Sequence, residues 1–189
     1  MPLRLNIVVA STRPGRVGIK VADWFHGFAM KDGGFDVHLV DLAKVGLPIY
    51  DEPRHPRLQQ YEHEHTRRWS AIVAAADAYV FVAPEYNYGP TPALLNALNY
   101  VYKEWNYKPA AFVSYGGVSG GMRAVQVAKL TLTTLKMVPI MESVTIPFVA
   151  ERIKDGVFEP IDIQVESAAA LLKELRRWAE ALKPLRAAP

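Results

Sequence analysis

Short apolar runs of the length of β-strands recur along the chain. Five of them stand out, at residues 5–10, 35–42, 78–83, 110–115 and 144–149. Most of their positions are apolar, whereas a strand with one solvent-exposed face would alternate apolar and polar side chains. The pattern therefore predicts strands that are covered on both faces.

Helical patterns lie between and after these runs, with apolar residues at every third or fourth position. They predict helices at 57–76, 92–103, 121–136 and 162–182. Thr91 is a candidate N-cap for the second helix, and Pro92 suits its first turn. The last helix is predicted to bury Leu171, Leu172, Leu175, Trp178 and Leu182. Strands alternating with helices predict an α/β fold, a parallel sheet with helices on both sides.

Composition narrows the chemistry. The chain has 189 residues, 50% of them hydrophobic and 22% charged, which predicts one globular domain over residues 1–189. It has no cysteine, so disulfides, thiolate metal sites and thiol redox chemistry are excluded. The net charge of +3 is spread along the chain, which favours a small anionic ligand and no nucleic acid. No apolar stretch approaches the roughly 18 residues of a membrane span, so we expect a cytoplasmic protein without membrane contact.

The segment after the first strand has the features of an anion site. It reads ASTRPGRVG and leads into a helix near Val17 or Gly18. A helix start offers unpaired N–H groups and a partial positive charge, which suit a phosphate. The candidate ligands are Ser11, Thr12, Arg13, Arg16, Val17 and Gly18. The alternative is that Ser11 and Thr12 only cap the helix while the arginines are solvated.

The segment after the third strand, PEYNYGPTP, combines two aromatic residues with an acid and an amide. Its backbone N–H groups suit the polar edge of a flat heteroaromatic ligand, and its rings can lie against such a ligand. The candidate residues are Pro84, Glu85, Tyr86, Asn87 and Tyr88. The alternative is a turn in which Asn87 and Gly89 supply unusual backbone angles while the tyrosines pack.

The segment after the fourth strand, SYGGVSGG, holds four glycines within six positions. Glycines permit close approach of the backbone to a ligand, although a flexible loop before a helix would also use them. In a parallel sheet the carboxyl ends of the strands lie at one edge, where ligands bind at the topological switch. The three segments are therefore predicted to form one pocket.

These motifs together resemble the NADPH-dependent FMN reductase family, which includes quinone, azo-dye and chromate reductases. The similar segments are S-T-R-x-x-R from Ser11, PEYN from Pro84, YKEW from Tyr102 and SYGGVSGGMRA from Ser114. The resemblance implies a flavodoxin-like three-layer sandwich with a five-stranded parallel sheet in the order 2-1-3-4-5. It places the FMN phosphate and ribityl chain on Ser11, Arg13, Arg16, Val17 and Gly18. It places the flavin ring between Pro84 to Asn87 on one wall and Ser114, Tyr115, Gly116 and Gly117 on the other.

The resemblance also implies an enzyme in which the flavin carries the chemistry and no side chain is catalytic. NADPH or NADH reduces FMN and leaves, and a quinone, azo compound, metal oxyanion or free flavin then takes the electrons in a ping-pong cycle. Tyr86, Tyr88 and residues 51–54 are expected to line the open face, and residues 51–54 come either from the same chain or from a partner subunit. A homodimer or homotetramer is expected, with residues 92–103 as interface. Arg123 and Glu142 resemble the charged pair that family members use between subunits, and the alternative is that each is a solvated surface charge.

Two other functions fit parts of the sequence. One is a flavodoxin that only carries electrons between partner enzymes, although such a protein is expected to be acidic. The other is a sugar-phosphate binder that uses the first loop alone. A metal site is not expected, because His63 and His65 would point about 200° apart on the predicted helix 57–76.

Overall fold

Five parallel strands form the centre of the protein in a computed structural model that describes residues 2–187. The strands are β1 (Arg4–Val9), β2 (Asp36–Asp41), β3 (Ala78–Pro84), β4 (Pro109–Tyr115) and β5 (Val138–Ile146). They pair in the order β2-β1-β3-β4-β5. The predicted α/β class, flavodoxin-like sheet and strand order are confirmed.

Helices cover both faces of this sheet. They are α1 (Gly18–Asp32), α2 (Leu42–Val45), α3 (Glu64–Ala75), α4 (Pro92–Asn99), α5 (Met122–Thr134) and α6 (Asp162–Ala187). Ile7 and Val9 of β1 face a core shared with α1 and α6, and Val8 between them faces a second core shared with α3, α4 and α5. Because each inner strand has a core on both faces, its residues are apolar at successive positions.

The fifth strand lies earlier in the chain than the apolar run at 144–149 predicts. It begins at Val138, six residues before the predicted 144, and its pairing with β4 shifts register between Ala110 and Phe112. β5 lies at the edge of the sheet, and its residues alternate between buried and more exposed. Polar residues such as Glu142 and Ser143 interrupt its apolar pattern for that reason. A short antiparallel hairpin follows, with β6 at Ile153–Lys154 and β7 at Val157–Phe158.

The helix predicted at 57–76 begins only at Glu64. The carboxylate of Glu52 accepts hydrogen bonds from the backbone N–H groups of Glu62 (2.8 Å) and His63 (3.0 Å). These bonds hold the chain in a loop before α3, and only a single 3-10 turn forms at Pro56–Leu58. A residue ten positions away thus overrides the local helical periodicity.

Two other helices differ from prediction at their ends. The helix predicted at 92–103 ends at Asn99, and a 3-10 turn follows at Lys103–Trp105. The last helix runs on to Ala187. The predicted burial of Trp178 is wrong, because its side chain is 42% exposed, while Leu171, Leu172 and Leu175 are buried as expected.

No helix among residues 2–187 is long and apolar enough to cross a membrane. The single domain predicted over residues 1–189 stays a prediction, and its ends, Met1 and residues 188–189, lie outside the described part of the chain.

Candidate active site

Three loops converge at the carboxyl edge of the sheet. We call them the β1 loop (residues 10–17), the β3 loop (85–91) and the β4 loop (116–121). The hydroxyl groups of Ser11 and Tyr86 share a hydrogen bond of 2.9 Å, and the hydroxyl of Thr91 donates to the carbonyl of Ala10 at 2.7 Å. Tyr115 links the β4 loop to the start of α1. The structure thus brings the three segments singled out in the sequence into direct contact.

The amino terminus of α1 has free hydrogen-bond donors. Val17 occupies the N-cap position without a side-chain cap. Among residues 2–187, no group accepts a hydrogen bond from the backbone N–H of Gly18 or Ile19. The alternative in which Ser11 or Thr12 caps this helix is therefore wrong. An uncapped helix start presents donors and a positive dipole end, the arrangement that binds phosphate groups.

The two arginines of the β1 loop differ in their surroundings. Arg16 pairs with the carboxylate of Asp41, which also accepts a hydrogen bond from Ala43 N–H at 3.1 Å. The Nε atom of Arg16 is buried and has no partner among the described residues. Arg13 is exposed and forms no ion pair there. Arg13 is therefore the cation of this loop that is open to an anion, and Arg16 keeps one unsatisfied donor.

The side chain of Tyr115 leaves no room for any side chain at residue 18, which is glycine. The side chain of Tyr115 is 4% exposed, and a Cβ atom built on Gly18 would lie only 2.2 Å from its hydroxyl oxygen. Burial raises the pKa of this phenol well above its usual value, so it stays protonated at neutral pH. Gly18 is thus required for close packing between α1 and the end of β4, not for an unusual backbone angle.

The β3 loop contains a tight turn at Tyr86–Gly89. The backbone N–H of Gly89 donates to the carbonyl of Tyr86 at 2.9 Å, and that of Tyr86 donates to Gly89 at 3.0 Å. Asn87 and Tyr88 both have positive φ, 49° and 67°. The turn expected as an alternative thus exists, but Tyr88 takes the second left-handed position instead of Gly89. The ring of Tyr88 is 65% exposed, and strain at an exposed aromatic residue is typical of a functional loop.

The side chain of Glu85 points away from solvent and caps α5. It accepts hydrogen bonds from Ser119 Oγ (2.9 Å), Arg123 Nε (2.7 Å) and Arg123 N–H (3.1 Å). Burial alone would raise the pKa of Glu85, but these bonds from Ser119 and Arg123 lower it below its usual value. The guanidinium of Arg123 also lies 3.9 Å from the ring centroid of Tyr88. Within one chain Arg123 therefore pairs with Glu85, while Glu142 was its expected partner between subunits.

The glycines of the β4 loop have two different roles. A Cβ on Gly120 or Gly121 would lie 2.4 Å from Thr145 Cγ2 or 2.8 Å from Tyr115 N, respectively, and both residues have positive φ. These two glycines are required by packing. Gly117 is exposed, and a Cβ there would meet nothing within 4 Å. Beside this loop the Oγ atom of Ser114 is buried and has no partner among the described residues.

The side chains of residues 51–54 form their hydrogen bonds with other parts of the chain and not with the three loops. Asp51 accepts hydrogen bonds from Tyr100 (3.0 Å) and pairs with His65 (2.9 Å), and Glu52 holds the loop before α3. A largely apolar groove of about 820 Å³ lies beside Thr12, between α2, residues 46–50 and α4. Ile49 in its wall is 89% exposed.

The prediction that His63 and His65 point about 200° apart on one helix is wrong. His63 precedes α3 in an extended conformation, so the two rings stack with centroids 5.1 Å apart. Both rings contact Asp51, His63 at its carbonyl (3.2 Å) and His65 at its carboxylate. Within residues 2–187, no group of three or more His, Asp or Glu side chains is arranged to hold a metal ion.

The residues present fit FMN. The free helix start and Arg13 suit a phosphate, and unsatisfied buried polar atoms remain at Arg16 and Ser114. A Cβ on Gly117 would meet nothing within 4 Å, so the β4 loop is open at this residue. The fold and these loops define the class of flavodoxin-like α/β proteins that bind a phosphate-bearing ligand at the carboxyl edge of the sheet.

Comparison with known proteins identifies the family within this class. The sequence profile of NADPH-dependent FMN reductases matches residues 3–151. The chain is 36% identical over 160 residues to an NAD(P)H-dependent FMN reductase of Schizosaccharomyces pombe, covering 83% of this chain and 79% of that protein. It is 30% identical over 137 residues to a 2-hydroxy-1,4-benzoquinone reductase of a Burkholderia species, covering 68% and 67%.

A solved structure agrees in fold. FerB, a flavoenzyme NAD(P)H:acceptor oxidoreductase of Paracoccus denitrificans, superposes with a TM-score of 0.74 at 22% identity, covering 95% of this chain and 98% of that one. The chain belongs to the NADPH-dependent FMN reductase family. It is thus an oxidoreductase with FMN as cofactor and a reduced nicotinamide nucleotide as co-substrate, which confirms the predicted enzyme class and cofactors.

Proposed function

We propose that this protein passes two electrons from NADPH or NADH through bound FMN to a small-molecule acceptor in a ping-pong cycle. Family membership supports the flavin and the nucleotide. The observation that carries the proposal is the uncapped start of α1 beside exposed Arg13. The β1 loop is bonded to the β3 loop through Ser11 and Tyr86, and Gly18 of α1 packs on Tyr115 at the end of β4. FMN supplies the hydride chemistry when bound, and the protein binds and orients it.

The phosphate end of FMN is assigned to the β1 loop and α1. The side chains of Thr12 and Arg13 are exposed there, and the N–H groups at the start of α1 are free. Arg16 contributes its unsatisfied Nε and remains anchored by Asp41. Ser11 acts indirectly, because its hydroxyl is bonded to Tyr86 and so ties the phosphate end to the β3 loop.

The flavin ring is assigned to the space between the β3 and β4 loops. Pro84, Glu85, Tyr86 and Asn87 supply mainly backbone on one side, since the Glu85 carboxylate is occupied by α5. Ser114, Gly116 and Gly117 form the other side, with Tyr115 buried beneath them. Tyr88 stands at the exposed rim, backed by Arg123. Nucleotide and acceptor meet the flavin in turn from this open side.

We favour quinones as the acceptor class. One relative is a benzoquinone reductase, and this chain matches over two thirds of that relative's length. Azo compounds, metal oxyanions and free flavin remain in the proposed range. Initial rates with NADPH and benzoquinone test the cycle, since parallel double-reciprocal plots are expected and intersecting ones would exclude a ping-pong order.

We also propose that two copies associate through the groove beside Thr12. The groove is mostly apolar, and Ile49 in its wall is 89% exposed to solvent. An apolar side chain that is this exposed is expected to be covered by a partner. α4, within the interface segment expected from the sequence, forms one side of it. Light scattering during size-exclusion chromatography tests this. A dimer or tetramer is expected, and an Ile49→Asp variant should shift it toward monomer, while a monomeric wild type would contradict the proposal.

Purification separates the main proposal from its alternatives. A yellow protein that NADPH bleaches supports the reductase. A yellow protein that NADPH leaves unchanged would indicate an electron carrier, and a colourless protein that does not take up added FMN would indicate a sugar-phosphate binder. The cytoplasmic location stays a prediction.

A further inference from the structure

A second cavity lies at the amino edge of the sheet, on the side opposite the three loops. It encloses about 670 Å³, within the range of small-molecule sites. The residues just before β3, β4 and β5 line it, together with the end of α3 and the end of α6. Its position separates it from the assigned flavin site, so nothing inferred about it depends on the reductase activity.

Cationic side chains dominate the lining of this cavity. Five of them face it, namely Arg57, Lys103, Lys108, Lys136 and Arg186. Arg186 is paired with Asp77. Within residues 2–187, no carboxylate lies at ion-pair distance from any of the other four. The cavity therefore carries uncompensated positive charge.

The two acids of the lining offset only part of this positive charge. Glu104 is 6% exposed and accepts hydrogen bonds from Ser70 (2.7 Å), Tyr61 (2.9 Å) and Gln59 (3.3 Å). Asp77 accepts hydrogen bonds from the backbone N–H of Arg4 (2.9 Å) and from Arg186. Both carboxylates keep their charge, but two acids against five cationic side chains leave the lining with an excess of positive charge.

Lys108 is the buried member of this group and lacks one acceptor. It is 4% exposed, and its Nζ donates to the carbonyls of Val73 (2.8 Å) and Ala74 (3.0 Å) at the end of α3. A charged ammonium has three N–H groups, so two carbonyls satisfy the neutral amine but leave one donor of the ammonium unmatched. The third N–H group of a charged Lys108 is therefore left for an acceptor other than these two carbonyls.

Aromatic rings hold two of the outer cations at the rim. The guanidinium of Arg57 lies 5.4 Å from the ring centroid of Tyr102, and Lys136 Nζ lies 5.4 Å from that of Tyr107. Lys136 also donates to the Tyr107 hydroxyl at 3.3 Å. These contacts place both charges beside the cavity and leave them accessible to a ligand.

We propose that this cavity binds a small polyanion of the phosphate class, held by Lys103, Lys108 and Lys136. Lysines bind phosphate as point charges and need no planar, bidentate partner. Burial, with the nearby Arg186, lowers the pKa of Lys108 to about 7 against the opposing effect of Asp77 and Glu104. Binding a polyanion restores its charge, so proton uptake accompanies binding near neutral pH.

Isothermal titration of the FMN-loaded protein with inorganic pyrophosphate tests this site while the flavin phosphate site is filled. We expect saturable binding with a Kd of about 1 mM or below. Replacing the two exposed lysines together, Lys103→Gln with Lys136→Gln, should weaken it at least ~10-fold, a loss of ~1.4 kcal/mol. Lys173→Gln, an exposed lysine on α6 away from the cavity, is the matched control and should bind as the wild type does.

Two outcomes would overturn the proposal. One is the absence of saturable binding to the wild type, and the other is equal affinity of the double variant. Repeating the titration at pH 7.5 in buffers of different ionisation enthalpy measures the protons taken up. Uptake in the wild type that disappears in Lys108→Met supports the role of Lys108, and no uptake in the wild type would contradict it.

Discussion

The contact between Gly18 and Tyr115 makes a sharp prediction about the start of α1. A Cβ on Gly18 would lie 2.2 Å from the hydroxyl oxygen of Tyr115 and 3.1 Å from the Cζ atom. Carbon and oxygen normally approach to about 3.3 Å, so the ring or the helix has to retreat by about 1 Å. Tyr115 is 4% exposed and has little space to move into. Gly18→Ala is therefore expected to destabilise the chain by about 1–3 kcal/mol.

The assay is urea denaturation of the flavin-free chain, so that FMN affinity does not enter the free energy of unfolding. Gly27 is the matched control in the same helix, because a Cβ there meets nothing within 4 Å. Gly27→Ala should stabilise by roughly 0.5–1 kcal/mol, as expected in a helix interior. Tyr115→Phe removes the clashing oxygen and should recover much of the Gly18→Ala loss in the double variant. A Gly18→Ala chain as stable as the wild type would show that Tyr115 does not restrict residue 18.

Three further predictions follow from single contacts. Arg13→Ala should lower the FMN retained after gel filtration while the melting temperature of the flavin-free chain stays unchanged, and equal flavin content would refute the phosphate assignment. Thr91→Val removes the N-cap bond to Leu94 (3.1 Å) and the bond to the buried carbonyl of Ala10. It should cost about 2–3 kcal/mol in urea denaturation, whereas Thr91→Ser keeps both bonds and should cost much less. Between pH 7 and about 10.4 Lys108 is neutral when folded and protonated when unfolded, so the free energy of unfolding should rise with pH by up to ~1.4 kcal/mol per unit relative to Lys108→Met. Parallel pH profiles of the two proteins would contradict the buried, neutral lysine.

Local patterns in the sequence were sufficient where a residue's role depends on its neighbours along the chain. The inner strands are apolar on both faces because both faces are covered. Thr91 and Pro92 start α4 as expected, with the Thr91 hydroxyl accepting from Leu94 N–H. The three loops could be placed together because strand order puts their strand ends at one edge.

The remaining features depend on residues far apart in the chain. Glu52 stops α3 from starting earlier, through bonds to residues ten and eleven positions later. Arg123 donates a hydrogen bond to Glu85, which is 38 residues away, and this contact fastens the β3 loop to α5. The charge of Arg16 is matched by Asp41 across 25 residues. No local spacing in the sequence encodes these pairs. The Arg16–Asp41 pair leaves Arg13 as the arginine that is open to the phosphate.

The amino-edge cavity shows the same limit in another form. Lys103, Lys108 and Lys136 are scattered in the sequence and form no basic run. The ends of α3 and α6 and the starts of three strands bring them together. A spread net charge of +3 favours a small anionic ligand, but it does not predict an anion site away from the β1 loop.

FMN held by the three loops is proposed to take electrons from a nicotinamide nucleotide and to give them to an acceptor. Anaerobic mixing of the purified, FMN-loaded protein with one equivalent of NADPH measures this transfer. The flavin absorbance is expected to bleach, and benzoquinone, added after the nucleotide is consumed, is expected to restore it. A bound FMN that stays oxidised with both NADPH and NADH would show that the flavin does not accept electrons from a nicotinamide nucleotide.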